Sequence, residues 1–184
     1  MLPEEETTIA RFPNGGDVRM VLTPAAGEAL APGEVYAKVN PSVVTVLGYQ
    51  SASASVGTGI IFSSDGYILT NYHVISGSYE CSVLVTDEYG VDTRYDAMLV
   101  GGDADRDLAV LKADAEGLTP AEFGVSDDLA IGDRVYAIGN PLGIELRNTF
   151  TDGIVSAVDR DVYVDGVTMT LIQTNAALNS GNSG

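Results

Sequence analysis

Cysteine and histidine are almost missing from this chain. Of its 184 residues only Cys81 carries a thiol and only His73 an imidazole. A single cysteine excludes any intrachain disulfide, so the fold is not of the disulfide-stapled secreted class. One histidine and one cysteine also leave no ligand cluster for zinc. Basic side chains are scarce, with 9 Lys plus Arg against 26 Asp plus Glu and a net charge of −17. Such a chain repels phosphates and anionic headgroups, so neither nucleic acid nor an anionic membrane surface is an expected partner. No apolar run approaches the roughly 20 residues that span a bilayer. The opening Met1-Leu2-Pro3-Glu4-Glu5-Glu6 is acidic where a signal peptide is basic and then apolar, so no export signal or anchor is expected within the chain. A P-loop is excluded too, because no glycine-rich segment runs into Lys-Ser or Lys-Thr. Gly57-Thr58-Gly59 lies inside a strand pattern, where close backbone packing or a bulge is expected instead. Cys81 begins an apolar stretch and reads as a small buried side chain.

What remains is a folding chain. Hydrophobic residues make up 45%, and 184 residues suffice for one domain or two small ones sharing an interface. Residues 1–33 hold four of the seven prolines without sustained periodicity and read as a lead-in. A single helical turn over 34–39 is expected to stop at Asn40-Pro41. Short β-branched and apolar runs then predict strands over 42–47, 56–62, 67–70, 81–86, 95–100, 108–112, 134–138, 149–158 and 167–174. Ser63-Ser64-Asp65-Gly66 predicts a hairpin turn, since glycine adopts the positive φ such turns demand. Many short strands without a long helical pattern indicate an all-β barrel or sandwich. The polar stretch 113–133 suits a connection between two β-units. The expected division is therefore a lead-in over 1–33, a first barrel over 34–120 and a second unit over 121–184.

Three residues could carry chemistry together. A serine hydroxyl becomes a useful nucleophile beside an imidazole that a carboxylate orients. His73, Asp107 and Ser183 occur in that order, 34 and 76 residues apart, which is the chain order of a chymotrypsin-type triad. Each has a plainer reading: a surface or core histidine, a strand-entry aspartate, a flexible polar terminus. Asp107 competes with Asp103 and Asp105, but those sit in a polar turn, whereas Asp107 directly precedes the apolar Leu108-Ala109-Val110-Leu111. A carboxylate shielded from water holds an imidazolium better, so Asp107 is the better candidate. In Gly181-Asn182-Ser183-Gly184 a glycine before the serine would let the amides of Gly181 and Ser183 point at one spot, forming an oxyanion hole.

Taken together, the segments resemble the trypsin-like protease domain of the HtrA/DegP family. The resemblance rests on Pro41-Ser42-Val43-Val44, Gly57-Thr58-Gly59-Ile60-Ile61-Phe62 and Gly66-Tyr67-Ile68-Leu69-Thr70-Asn71-Tyr72-His73-Val74. It continues through Asp107-Leu108-Ala109-Val110-Leu111-Lys112, Gly132-Asp133-Arg134-Val135, Gly139-Asn140-Pro141-Leu142-Gly143, Thr151-Asp152-Gly153-Ile154-Val155-Ser156 and the run from Ile172 to Gly184. It implies two six-stranded barrels with the triad in the cleft between them. His73 would be the general base, Asp107 its orienter, Ser183 the nucleophile, and the Gly181 and Ser183 amides the oxyanion donors. No metal or organic cofactor is implied. The implied activity is endoproteolysis of unfolded or damaged proteins in the bacterial cell envelope by a homotrimer, usually with PDZ domains after the protease. The chain departs from the family pattern at Asn175, where Asp is common, and by stopping at Gly184, before the closing strands of the second barrel. The expectation is thus an all-β, two-barrel chymotrypsin/trypsin-like chain with its second barrel incomplete, a fragment of a serine endopeptidase that is not itself expected to show measurable activity. Two alternatives are a non-catalytic holdase that binds unfolded chains through exposed strands, and a folded first barrel with a partly ordered second half.

Overall fold

The computed structural model describes residues 7–13, 19–24, 28–87, 89–140, 148–164, 167–178 and 183–184. Helix α1 (Pro32–Val39) is longer than the single turn expected. Pro32 occupies its first position, where a missing N–H costs nothing, and the Glu34 carboxylate accepts the Ala31 N–H at 2.8 Å. The helix ends at Val39, before Asn40-Pro41 as expected. Pro41 is absorbed in a 3-10 turn, Asn40–Ser42, that leads straight into the first strand.

Six strands then close into a barrel: β1 (Val43–Tyr49), β2 (Ala54–Ile61), β3 (Tyr67–Thr70), β4 (Glu80–Thr86), β5 (Asp92–Asp103) and β6 (Leu108–Ala113). Their order around the barrel is β1-β2-β3-β6-β5-β4, with antiparallel neighbours throughout. The hairpin between β2 and β3 turns at Ser63–Gly66 as predicted, with Gly66 at φ 96° and its N–H on the Ser63 carbonyl at 3.1 Å. Alternation of the β-branched runs sends Val44, Val46, Ile61, Ile68, Val83, Leu99 and Leu111 into one buried cluster. Each such side chain contributes about 1.5–3 kcal/mol by leaving water. A Cβ on Gly59 would come within 3.0 Å of the Val44, Val46 and Ile68 methyls, so glycine is what lets β2 lie this close to the filled interior.

The first residues described join this barrel. Ile9 is buried in its core, Leu99 N–H donates to the Ala10 carbonyl, and Phe12 N–H donates to the Leu99 carbonyl, both at 2.9 Å. This docking falls where β5 shifts register between Leu99 and Gly101. β5 runs well beyond the predicted 95–100, through Gly101 and Gly102.

After a second 3-10 turn, Ser126–Asp128, come β7 (Arg134–Gly139), β8 (Thr149–Val164) and β9 (Val167–Thr174). They form an antiparallel three-stranded sheet in chain order. β8 exceeds the predicted 149–158 because its pairing with β9 survives two register shifts, near Asp159 at φ 52°. Among the described residues β7 and β9 pair on one side only. A closed barrel followed by a partial second sheet matches the expected all-β, two-part architecture.

Several contacts join the parts, among them an aromatic cluster and a buried asparagine. Tyr36 of α1 meets Phe150 edge-on at 5.4 Å, and Phe150 stacks on Tyr136 at 5.0 Å. Asn140, wholly buried at the end of β7, donates its side-chain amide to the Val44 carbonyl of β1 at 3.2 Å.

Candidate active site

His73 lies on α2 (Tyr72–Ile75), one turn of helix after β3. The turn exists because Asn71 takes an extended N-cap conformation and Val74 N–H reaches back to its carbonyl at 3.2 Å. Val74 and Ile75 are buried in the barrel core, which leaves His73 facing outward with its side chain 56% exposed. At the other end of α2, the Ser55 hydroxyl of β2 donates to the Val74 carbonyl. Gly57 leaves the Val74 methyls a seat, since a Cβ there would lie 2.6 Å from them. Together these fix where the helix sits on the barrel rim.

Asp107 arrives from the β5–β6 turn. Its backbone is left-handed at φ 52°, a conformation that Asp tolerates better than most residues, and its N–H donates to the Ala104 carbonyl at 3.2 Å. The carboxylate meets His73 twice. Oδ1 accepts the His73 backbone N–H at 2.8 Å, satisfying a free donor of the first turn of α2, and Oδ2 lies 2.7 Å from Nδ1. A carboxylate at that distance calls for a proton on Nδ1, which leaves the Nε2 lone pair free to act as a base. At 28% exposed the Asp107 side chain is the more shielded partner.

The competing aspartates lie elsewhere. Asp103 accepts from Arg106 through both carboxylate oxygens, at 2.6 Å from Nη1 and 2.9 Å from the backbone N–H. The Arg106 side-chain hydrogen bond holds the Asp103 carboxyl below its usual range. It is a turn-closing residue, and Asp105 is exposed.

Ser183 lies half-buried with its backbone against β2: Thr58 N–H donates to the Ser183 carbonyl at 2.6 Å. That carbonyl would lie 2.9 Å from a Cβ on Gly57, the same glycine on which Val74 rests, so Ser183 and the residue after His73 share one patch of β2. Among the described residues no hydrogen bond joins the Ser183 hydroxyl to His73. Gly181 lies outside the described residues.

Residue-by-residue reading of the sequence missed Asn71, whose side chain donates to the Asp107 carbonyl at 2.9 Å and ties the aspartate's backbone to the helix it caps. An asparagine two residues before the histidine was a cap signal, but its partner lies 36 residues away and only the fold supplies it. Cys81 is buried, and desolvation pushes its thiol from about 9.0 up to about 12, so it offers no nucleophile. Among the described residues no group of His, Cys, Asp and Glu side chains is placed to hold a metal, and no helix is long and apolar enough to cross a membrane.

One carboxylate thus holds the backbone and the ring of His73, and a serine segment lies along the same barrel rim. In family comparison the trypsin-like peptidase domain matches residues 57–184. The chain belongs to this family. Within the family its relatives are of the HtrA/DegP type. It is 42% identical over 156 residues to a protein named probable periplasmic serine endoprotease DegP-like from Halomonas elongata, covering 83% of this chain and 31% of that one. It is 45% identical over 132 residues to the magnetosome formation protease MamE of Paramagnetospirillum magneticum, covering 71% and 18%. Among solved structures it is similar to the HtrA-type protease AlgW with a tripeptide, at a TM-score of 0.75 and 37% identity over 84% of this chain and 49% of that one. This trypsin-like chain thus spans less than a third of the length of these two curated relatives.

Proposed function

We propose that this chain carries the catalytic triad of an HtrA-type serine endopeptidase. The observation that supports it most is the two-point hold of Asp107 on His73, at 2.8 and 2.7 Å. A surface histidine with no task has no need of a shielded carboxylate on its ring nitrogen. In this reading Nε2 of His73 takes the Ser183 proton as Oγ bonds to the carbonyl carbon of a peptide. Asp107 stabilises the imidazolium, and the amides of Gly181 and Ser183 hold the oxyanion. The same imidazolium then protonates the leaving amine as the C–N bond breaks. Water, deprotonated by His73, releases the acyl group and restores Ser183. No step calls for a metal or organic cofactor.

The substrates proposed are unfolded or damaged proteins, and the location is extracytoplasmic, since relatives bear the name periplasmic serine endoprotease. The proposed working form is a homotrimer of the whole protein. Along the chain, the division proposed is a lead-in over 1–33, a His- and Asp-bearing barrel over 34–120 and a Ser-bearing unit over 121–184.

The test is hydrolysis of casein by the whole protein that contains this chain. Ser183→Ala and His73→Ala are each expected to lower the rate by several orders of magnitude. A holdase without catalysis would bind casein equally well in all three proteins and cleave it in none. Exposed Tyr163, Leu171 and Ile172 on the β8–β9 sheet are the feature that favours this second reading.

A further inference from the structure

The outer edge of β2 is only partly covered. β3 pairs with it at Ile60 and Ile61 and ends at Thr70, so the ladder between the two strands stops short of Thr58. Among the described residues the last side chain of β3, the serine segment and the residue after β7 meet Thr58 instead. The Thr70 hydroxyl donates to the Thr58 carbonyl at 2.7 Å, and Thr58 N–H donates to the Ser183 carbonyl at 2.6 Å. The Thr58 hydroxyl accepts the Asn140 N–H at 3.1 Å. Asn140 then donates its side-chain amide to the Val44 carbonyl at 3.2 Å, and its Oδ1 accepts the Asn148 N–H at 2.9 Å. Thr58 is 2% exposed and Asn140 is fully buried, so these bonds are sheltered from water and costly to lose.

We propose that Thr58 is a positioning residue for Ser183: its hydroxyl registers the end of β7 and the start of β8 against the barrel, while its backbone N–H holds the serine segment. The role rests on the nucleophile reading above. The geometry gives it a purpose. His73 is fixed to the barrel by β2, β3 and Asp107, whereas Ser183 follows the second sheet in the chain. A nucleophile and base on different units keep a useful separation only if the units share an anchor, and misplacement by an ångström is enough to cost a large factor in rate. Thr58 bonds to both units within one residue. The methyl of threonine is incidental to this, and the hydroxyl is what serves.

Two variants isolate the hydroxyl. Thr58→Val keeps the shape and leaves the Asn140 N–H buried without its acceptor, whereas Thr58→Ser keeps the acceptor. In the 184-residue chain, amide hydrogen exchange followed by NMR reads the anchor without any need for activity. Thr58→Val is expected to speed exchange at Asn140 and at the amide of residue 58 about tenfold, with the β4–β5 amides unchanged, and Thr58→Ser is expected to restore both. In the whole protein, the rate of reaction with a fluorophosphonate should fall at least tenfold in Thr58→Val and recover in Thr58→Ser, with an unchanged pH profile because His73 and Asp107 are untouched. Unchanged exchange at residue 58 in Thr58→Val would overturn the proposal, as would a slower Thr58→Ser reaction equal to that of Thr58→Val. If Thr58→Val lost protection throughout the barrel, Thr58→Ser alone would decide, since it must then match the wild type in both readouts. An exchange pattern as expected in a protein that never reacts with the fluorophosphonate would overturn the nucleophile reading, and the positioning role with it.

Discussion

Asp107→Asn separates orientation of His73 from everything else the aspartate does. Asn is, like Asp, at ease in the left-handed conformation, so the backbone at φ 52° and the Asn71 bond to its carbonyl are spared. What changes is the set of acceptors. The carboxylate serves the His73 N–H at 2.8 Å and Nδ1 at 2.7 Å with one oxygen each. An amide has one oxygen, and if that stays on the backbone N–H its NH2 group must face Nδ1. A donor there requires an unprotonated Nδ1, so the ring proton moves to Nε2, the atom that accepts from Ser183 in the proposed triad. A charge-assisted hydrogen bond contributes about 1.5–3 kcal/mol in shielded surroundings. With the two side chains 28% and 56% exposed, solvent screening brings the expected loss of stability toward ~1 kcal/mol. The kinetic loss should be far larger, roughly four orders of magnitude, because the wrong tautomer cannot act as the base. His73 is the only histidine, so long-range proton–nitrogen correlation NMR reads its tautomer without assignment ambiguity. The wild type should show the proton on Nδ1 and Asp107→Asn the proton on Nε2. The same tautomer in both proteins would refute the reasoning.

Gly57→Ala should lower both activity and stability, the latter by about 1–3 kcal/mol in urea unfolding, because the new methyl would meet the Val74 methyls at 2.6 Å and the Ser183 carbonyl at 2.9 Å. Cys81 should resist Ellman's reagent at pH 8 until the protein unfolds. Its raised pKa also has a sign: between about 9.0 and about 12 the folded state keeps a proton that the unfolded state loses, so stability should decline as pH climbs through that window. Hydrogen exchange should be slower in β1–β6, a closed barrel, than in β7–β9, where Leu171 and Ile172 remain 42% and 46% exposed. Equal protection would mean that the second sheet is covered by association.

The strands that could be read from sequence are those whose residues argue alone. Val43-Val44-Thr45-Val46-Leu47 and Leu108-Ala109-Val110-Leu111 are β-branched or apolar enough that only a buried strand suits them, and Gly66 named its own turn. β5 and β8 outran their predicted limits because Gly101-Gly102 and Asp159-Arg160-Asp161 look like turn formers locally, and pairing with β6 and β9 overrides that preference. Asn40-Pro41 did mark the end of α1, and Pro41 itself lies in a 3-10 turn, which accepts what an α-helix would not. At the site, His73 and Asp107 were legible because scarcity and flanking apolarity singled them out. Asn71 and Thr58 were not, because their importance lies in partners 36 and 82 residues away and in an edge of β2 that β3 leaves open.

The central claim is that Ser183 is a nucleophile activated by His73. Intact-mass analysis of the whole protein after treatment with a fluorophosphonate tests it most directly. One adduct per chain, mapped to Ser183, is expected, and none in Ser183→Ala or His73→Ala. An adduct that persists in Ser183→Ala, or a folded wild-type protein that takes up none, would contradict it.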